Sequence, residues 1–352
     1  MNNHNKAILI FSPAFAANES DTIWLPWLQI FVKALNKNYP RLKVIVFAFQ
    51  YPHTTKTYTW HNNTVIPFNG INKKKHQRFL MWLNIFLLIK KIKKENNIIG
   101  IFSMWCGECT FIAKYAAKFF KLKYFCWIVG QDARASNNYI KRIQPKASNL
   151  VAMSDFLADE FFRNHNIRPA HVVTNGIDVS LFDNMPLKKD IHIIGAGSLS
   201  ILKRYDILVE VIAALKNNIP DIKAVLCGDG EARQQIENMI RKLFLTNNIN
   251  LAGTMQHGDV LKTMQRSKIL LHPSLYEGFS SVCLEALYAG AHVISFTKPM
   301  HTEIKNWHVV NSKEEMTNKV LEILQSDINY EAVSIYSMDE SAKAIMKLFN
   351  YT

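Results

Sequence analysis

Short apolar runs alternate with longer stretches of helical period along most of the chain. Lys6–Ser12 reads as a buried strand, Trp24–Leu35 as a helix, and Arg41–Gln50, rich in Val, Ile and Phe, as a second strand. Apolar runs at Ile98–Ser103, Tyr124–Val129 and Asn149–Ala152 continue the pattern. The second half repeats it at Ile191–Ile194, Ala224–Cys227, Ile249–Ala252, Ile269–Leu271 and His292–Phe296, each followed by a helical stretch. Strands separated by helices predict parallel sheets covered on both faces. Two such sheets, changing over near Pro169–Ile177, predict an α/β protein of two doubly wound domains with a cleft between them. Ligands in such sheets bind beyond the carboxyl ends of the strands, where Gly195–Leu199, Cys227–Gly230 and His272–Ser281 fall.

The length of 352 residues suits two domains, and 49% hydrophobic with 20% charged residues excludes a disordered chain. Met1–Lys6 leads into Ala7–Phe11, which is too short and poorly flanked for a secretory signal. The longest apolar run, Phe79–Ile89, contains Asn84 and falls well below the ~20 residues that span a bilayer. A cytoplasmic chain without a transmembrane segment is therefore expected. Five cysteines in a chain this long suggest no disulfide framework.

Charge is unevenly divided. Residues 1–180 hold 24 basic and 9 acidic side chains, a net +15, whereas residues 181–352 carry a net −1. The first half is expected to face something anionic. Nucleic acid is not the expected partner, because no nucleic-acid-binding motif accompanies the charge. Lys73–Arg78, the apolar run and Lys90–Lys94 together form a basic–apolar–basic helix over 73–94. Either it is a core helix with solvated lysine ends, or it lies on an anionic membrane surface, peripheral on the inner face. The basic first half favours the second.

The segment from Tyr276 to Gly290 is the richest in chemistry. It reads as a turn followed by a helix that is apolar nearly all round and stopped by Gly290. A carboxylate on such a helix, Glu285, needs a hydrogen-bonding partner to offset its desolvation. Glu277 precedes the first turn, beside N–H groups that no intrahelical bond satisfies, and the Ser280 and Ser281 hydroxyls complete an anion site. Two carboxylates bracketing a phosphate cradle suit a ligand with both hydroxyls and phosphates, such as a nucleotide sugar.

This segment resembles the E-x7-E signature of retaining family-4 glycosyltransferases of the "glycosyl transferases group 1" type. Further motifs resemble that family in its own order: Asn175-Gly176-Ile177-Asp178, then Gly197-Ser198-Leu199 with Lys203-Arg204-Tyr205-Asp206, Gly228-Asp229-Gly230, and Gly253-Thr254-Met255. The likeness is strong from about 172 to 303 and weak before that. It implies the GT-B fold, two Rossmann-like domains facing each other across a cleft, with the last helical stretch, Ser341–Phe349, returning to the first. The expected division is 1–171 with 335–352 for the acceptor and 172–334 for the nucleotide-sugar donor.

The resemblance implies a role for each matched residue. Gly197, Ser198, Lys203 and Arg204 would surround the donor diphosphate, with Lys203 stabilising charge on the leaving group. Met255 would lie by the nucleobase, and Gly278, Phe279, Ser280 and Ser281 would line the donor site. Glu285 would accept from the ribose, and Glu277 would hold the donor sugar. Ser198 stands where the family often has Arg, and Arg204 is the candidate replacement. Catalysis would rest on Glu277 and Lys203 without a protein nucleophile, since retention in the family is pictured as a front-face reaction.

The first domain departs further from the family. Ala14–Asn18 replaces a Gly-Gly loop, and Val129 replaces a His ahead of Gly130, Gln131 and Asp132. Those three are candidates for lining the cleft or for a structural turn. Trp105-Cys106-Gly107-Glu108-Cys109 resembles a thioredoxin site, but Glu108 replaces its Pro, and inert thiols are expected. No Asp-x-Asp occurs and no metal or other cofactor is expected. The function expected is transfer of a sugar from a nucleoside-diphosphate sugar to a glycan or lipid-linked acceptor, in surface-glycan synthesis. A nucleotide-sugar epimerase on the same fold would share the donor pocket without an acceptor, and a membrane-binding adaptor would explain the charge alone.

Overall fold

A computed structural model describes residues 6–182 and 187–352, so Met1–Asn5, part of the stretch weighed above as a leader, lie outside it. The first sheet contains β1 (Lys6–Ala14), β2 (Lys43–Tyr51), β3 (Tyr58–Trp60), β4 (Asn63–Pro67), β5 (Asn97–Met104), β6 (Lys123–Ile128), β7 (Leu150–Ala152) and β8 (His171–Val172). Their order is β3-β4-β2-β1-β5-β6-β7-β8, parallel except for the β3–β4 hairpin. Helices α1 (Pro26–Asn38), α2 (Lys75–Glu95), α3 (Glu108–Phe120), α4 (Tyr139–Ile143) and α5 (Asp155–His165) connect them.

The second sheet contains β9 (Ile191–Ala196), β10 (Ala224–Cys227), β11 (Ile249–Gly253), β12 (Ser267–His272), β13 (His292–Ser295) and β14 (Trp307–Val309). Their order is β11-β10-β9-β12-β13-β14, and every pairing is parallel. Between and after them run α6 (Tyr205–Leu215), α7 (Arg233–Lys242), α8 (His257–Gln265), α9 (Ser281–Tyr288) and α10 (Lys313–Gln325), and α11 (Met338–Leu348) ends the chain. Strands β1, β9 and β12 are buried along most of their length, with apolar stretches such as Ala7–Phe11, Ile193–Ile194 and Ile269–Leu271, because both their faces are covered.

The chain forms two compact units, one up to Gly176 together with Tyr336–Thr352, the other Ile177–Ile335. The boundary expected at 171/172 would cut through β8, whose His171 pairs with Val151 of the first sheet, so the change-over comes after Gly176. Helix α11 belongs to the first unit. Its Asp339 takes hydrogen bonds from Lys37 at 2.5 Å and Asn38 at 2.8 Å, and Phe349 just beyond it fills the space left by Gly100.

Strand order reverses in the second sheet between β9 and β12. Ligands in open parallel sheets bind beyond the carboxyl ends of the strands at such a reversal, which is where the loops after these two strands lie. Among the described residues no helix is long and apolar enough to cross a membrane.

Candidate active site

The loop after β9 carries Gly197, Ser198 and Lys203, and the loop after β12 carries Glu277. The two loops are tied together, since the Ser274 hydroxyl donates to the Leu202 carbonyl at 3.3 Å. The loop after β10 interlocks with the first of them: the N–H of Leu199 donates to the Asp229 carbonyl at 2.9 Å, and that of Gly197 to Cys227 at 3.0 Å. Gly228 has φ +135°, and a Cβ there would stand 1.9 Å from the Gly197 carbonyl oxygen. No other residue fits that position.

Lys203 forms an ion pair with Glu277, and the same carboxylate oxygen, Oε2, lies 3.3 Å from Nε2 of His272 at the end of β12. Burial favours protonation of Glu277, but the His272 hydrogen bond and the Lys203 ammonium outweigh it and lower its pKa to about 2. Burial lowers the pKa of His272 and, with the Lys203 charge, outweighs the Glu277 hydrogen bond and charge that raise it, so the neutral imidazole faces the carboxylate through Nε2. Glu277 is thus a permanent anion near neutral pH. It accepts hydrogen bonds and is too weak a base to take a proton.

Helix α9 begins after Ser280, which is extended, and ends in a Schellman arrangement at Gly290, where Ala291 donates to the Ala286 carbonyl at 2.8 Å. Glu285 is buried on it, as its apolar surroundings require. The partner that offsets its desolvation is His257 at the start of α8, with Nε2 2.8 Å from Glu285 Oε1. Burial lowers the basicity of His257, yet the Glu285 hydrogen bond and charge prevail and raise its pKa. Met255, half-buried, stands two residues before His257, so the Met255 loop and Glu285 are neighbours. Gly278, Phe279 and Ser280 are buried and Ser281 half-buried, with the Phe279 ring stacked on Trp307 at 6.1 Å.

The structure thus brings together Lys203, His272 and Glu277 in one cluster and His257 with Glu285 in another, joined by α9. The two histidines were not assigned roles from sequence. Each stands close to a matched motif, His272 five residues before Glu277, and that adjacency was the available signal.

Two expectations change. Arg204 is directed into its own helix rather than toward the Ser198 loop, because its Nε lies 3.1 Å from both carboxylate oxygens of Asp206. Asp132 does not line an open surface. It is buried, and accepts from the N–H groups of Cys106 at 2.8 Å, Gly130 at 2.8 Å and Val129 at 3.2 Å. Burial raises its pKa against those bonds, as for a carboxylate that pins its own turn. Gln131 is exposed, and Gly130 has open space where a side chain would project. Cys106 and Cys109 are buried free thiols. A hydrogen bond to Cys126 and burial raise Cys106, and burial raises Cys109, the opposite of a redox-active thiol.

A family model described as "Glycosyl transferases group 1" matches residues 180–339. The chain is 33% identical over 165 residues to the phosphatidylinositol N-acetylglucosaminyltransferase gpi3 subunit of Schizosaccharomyces pombe, a stretch covering 46% of this chain and 36% of that protein. The chain therefore spans about a third of that relative's length. It is 27% identical over 250 residues to the N-acetylgalactosamine-N,N'-diacetylbacillosaminyl-diphospho-undecaprenol 4-alpha-N-acetylgalactosaminyltransferase of Campylobacter jejuni, covering 65% of this chain and 67% of that one. Among solved structures, an S. aureus TarM mutant in complex with fondaparinux, alpha-GlcNAc-glycerol and UDP superposes with a TM-score of 0.71 at 12% identity, covering 98% of this chain and 99% of the other. Residues 180–339 are thus similar to the glycosyl transferases group 1 family, and the two doubly wound units of the chain are those of the GT-B fold class.

Proposed function

We propose that the chain is a retaining, metal-independent glycosyltransferase of family 4 that moves a sugar from a nucleoside-diphosphate sugar to a lipid-linked acceptor. The observation that carries this reading is the Lys203–Glu277–His272 cluster at the strand-order reversal, with Glu285 on the adjoining helix. Lys203 and the N-terminus of α9 supply fixed positive charge where a leaving diphosphate develops negative charge. Gly197 and Ser198 bring backbone to that diphosphate, and Gly278, Phe279, Ser280 and Ser281 close over it. Glu277, anchored by His272, accepts from the hydroxyls of the donor sugar. Glu285 takes the ribose, and Met255 packs against the base. The first unit holds the acceptor, with Gly130 and Gln131 as its remaining candidates.

Two relatives support a lipid-linked acceptor, since one is named for phosphatidylinositol and the other for a diphospho-undecaprenol glycan. The TarM complex, which contains UDP, supports a uridine donor. Surface-glycan assembly on the cytoplasmic side of a membrane, with the enzyme peripheral, is the setting this chemistry fits. Incubating the protein with UDP-, GDP- and ADP-sugars should raise its melting temperature with one nucleotide class, because ligand binding stabilises by mass action. That donor should then transfer its sugar to a polyprenyl-diphosphate glycan or a phosphoinositide in the presence of a chelator. Stabilisation by none of them would overturn the reading, and loss of transfer on chelation would overturn its metal independence.

A further inference from the structure

Helix α2 is a surface helix whose outward side is apolar. Its inner side is the expected stripe, Met81, Ile85, Ile89 and Ile92, which joins the first unit's core. On the opposite side Phe79, Leu80, Leu83 and Leu87 are 56%, 62%, 47% and 66% exposed. A helix bordering water would carry polar residues there. The strip continues onto α3, where Phe119 is 71% exposed and its ring lies 6.0 Å from that of Phe86.

The surroundings of the strip are basic. Lys74 and Lys75 are exposed at one end, Lys90, Lys91 and Lys94 at the other, and Lys118 and Lys121 beside Phe119. No acidic residue occurs from 73 to 94. The helix is also held firmly, as Arg78 and Trp82 both bond to the buried Glu108, so the strip is not a displaced core face. Two copies of the chain meeting through this strip about a two-fold axis would set like-charged lysine clusters against each other. An anionic bilayer offers apolar depth to the strip and phosphates to the lysines together.

We propose that the outward side of α2, with Phe119, lies in the boundary between headgroups and acyl chains of an anionic bilayer, its apolar strip inserted and its lysine ends on the phosphates. The proposal deepens the lipid-linked acceptor reading and rests on it for its purpose, since the first unit would then sit where such an acceptor is anchored.

The test uses the intact chain and vesicles of phosphatidylcholine with and without phosphatidylglycerol. The parent should pellet only with the anionic vesicles and less as salt rises, because the attraction decays within a Debye length. A Leu80→Ser/Leu83→Ser/Leu87→Ser variant should partition at least ~10-fold more weakly at every salt concentration, since it loses buried apolar area. A Lys90→Gln/Lys91→Gln/Lys94→Gln variant should lose binding mainly at low salt. All six side chains are at the surface, and an unchanged melting-temperature shift with UDP or GDP would show the donor unit intact in each variant. Parent protein that ignores anionic vesicles overturns the proposal. So does a serine variant that binds as the parent does, which would mean surface adsorption without insertion. A parent dimer that the serine variant dissolves would make the strip an interface between copies. If UDP, GDP and ADP all fail to stabilise the parent, the glycosyltransferase reading fails while the vesicle result still decides this one.

Discussion

Lys203 and Glu277, 74 residues apart in the chain, meet as an ion pair across the loops that follow β9 and β12. Each side chain is 23% exposed, so water screens the pair only in part. The contact is made between the protein's own side chains, so ordering Lys203 and Glu277 against each other is part of folding.

A double-mutant cycle with Lys203→Met and Glu277→Gln, read by urea unfolding, should therefore give a coupling energy of about 1–3 kcal/mol. With its pKa lowered to about 2, Glu277 contributes stability that is complete above the ordinary carboxylate value of 4.5 and is lost as pH falls toward 2. The gap between parent and Glu277→Gln should close over that window and nowhere else. A gap unchanged from pH 5 to 2 would place the carboxylate outside the pair. In turnover, Lys203→Met should cost about 100-fold, the size of effect seen when a charge-stabilising group is removed.

His257 and Glu285 make the second prediction. The folded-state pKa of His257 is raised, so its contribution is fully present below about 6.5, the ordinary imidazole value, and is lost as pH rises through the raised value. The melting-temperature deficit of His257→Gln should accordingly be largest near pH 6 and shrink toward pH 8. Glu285→Ala should weaken binding of the nucleoside diphosphate by roughly 10-fold or more, the worth of a hydrogen bond to a charged group. If the ribose takes the Glu285 carboxylate, saturating nucleotide should move the imidazole titration of His257 downward in NMR. A titration that stays in place would leave Glu285 as a partner of His257 alone.

All five cysteines are free and buried, and burial raises the pKa of Cys109, Cys227 and Cys283. None should react with an aromatic disulfide reagent at pH 7.5 in the native state, and all five should react in denaturant. Rapid native labelling of Cys106 or Cys109 would reopen the redox reading of that loop.

Much of this arrangement was legible in the sequence, and the parts that were not share a physical reason. Buried parallel strands announce themselves as unbroken apolar runs, so Ala224–Cys227 was located to the residue. The strands β3, β4, β8 and β14 were missed: three of them have only two or three residues, too few to carry periodicity, and β4, Asn-Thr-Val-Ile-Pro, has only two adjacent apolar residues ahead of its proline. Glu285 was recognisable from its apolar neighbours, whereas its partner His257 lies on a different helix, and a contact across 28 residues leaves no local pattern. Asp132 looked the same from sequence whether it lined a surface or pinned a turn. Only the three N–H groups aimed at it decide.

The interlock of the β9 and β10 loops gives the last prediction. A methyl group at Gly228 would stand 1.9 Å from the Gly197 carbonyl oxygen, which is backbone and cannot swing aside as a side chain would. The φ of +135° adds strain that a residue with a side chain rarely tolerates. Gly228→Ala should therefore destabilise by about 3 kcal/mol or more, or roughly 6–12 °C for a unit of this size. Because the displaced backbone is the Gly197–Leu199 turn, nucleotide affinity should fall in the protein that remains folded. Gly258 in α8 is the control: it is exposed, and no atom lies within 4 Å of an added Cβ. Gly258→Ala should leave nucleotide binding unchanged and stabilise the fold by up to about 1 kcal/mol through helix propensity. Differential scanning calorimetry of both variants, with and without UDP or GDP, separates the cases. Equal melting temperatures would mean that the two loops yield independently and that the glycine is not what joins them.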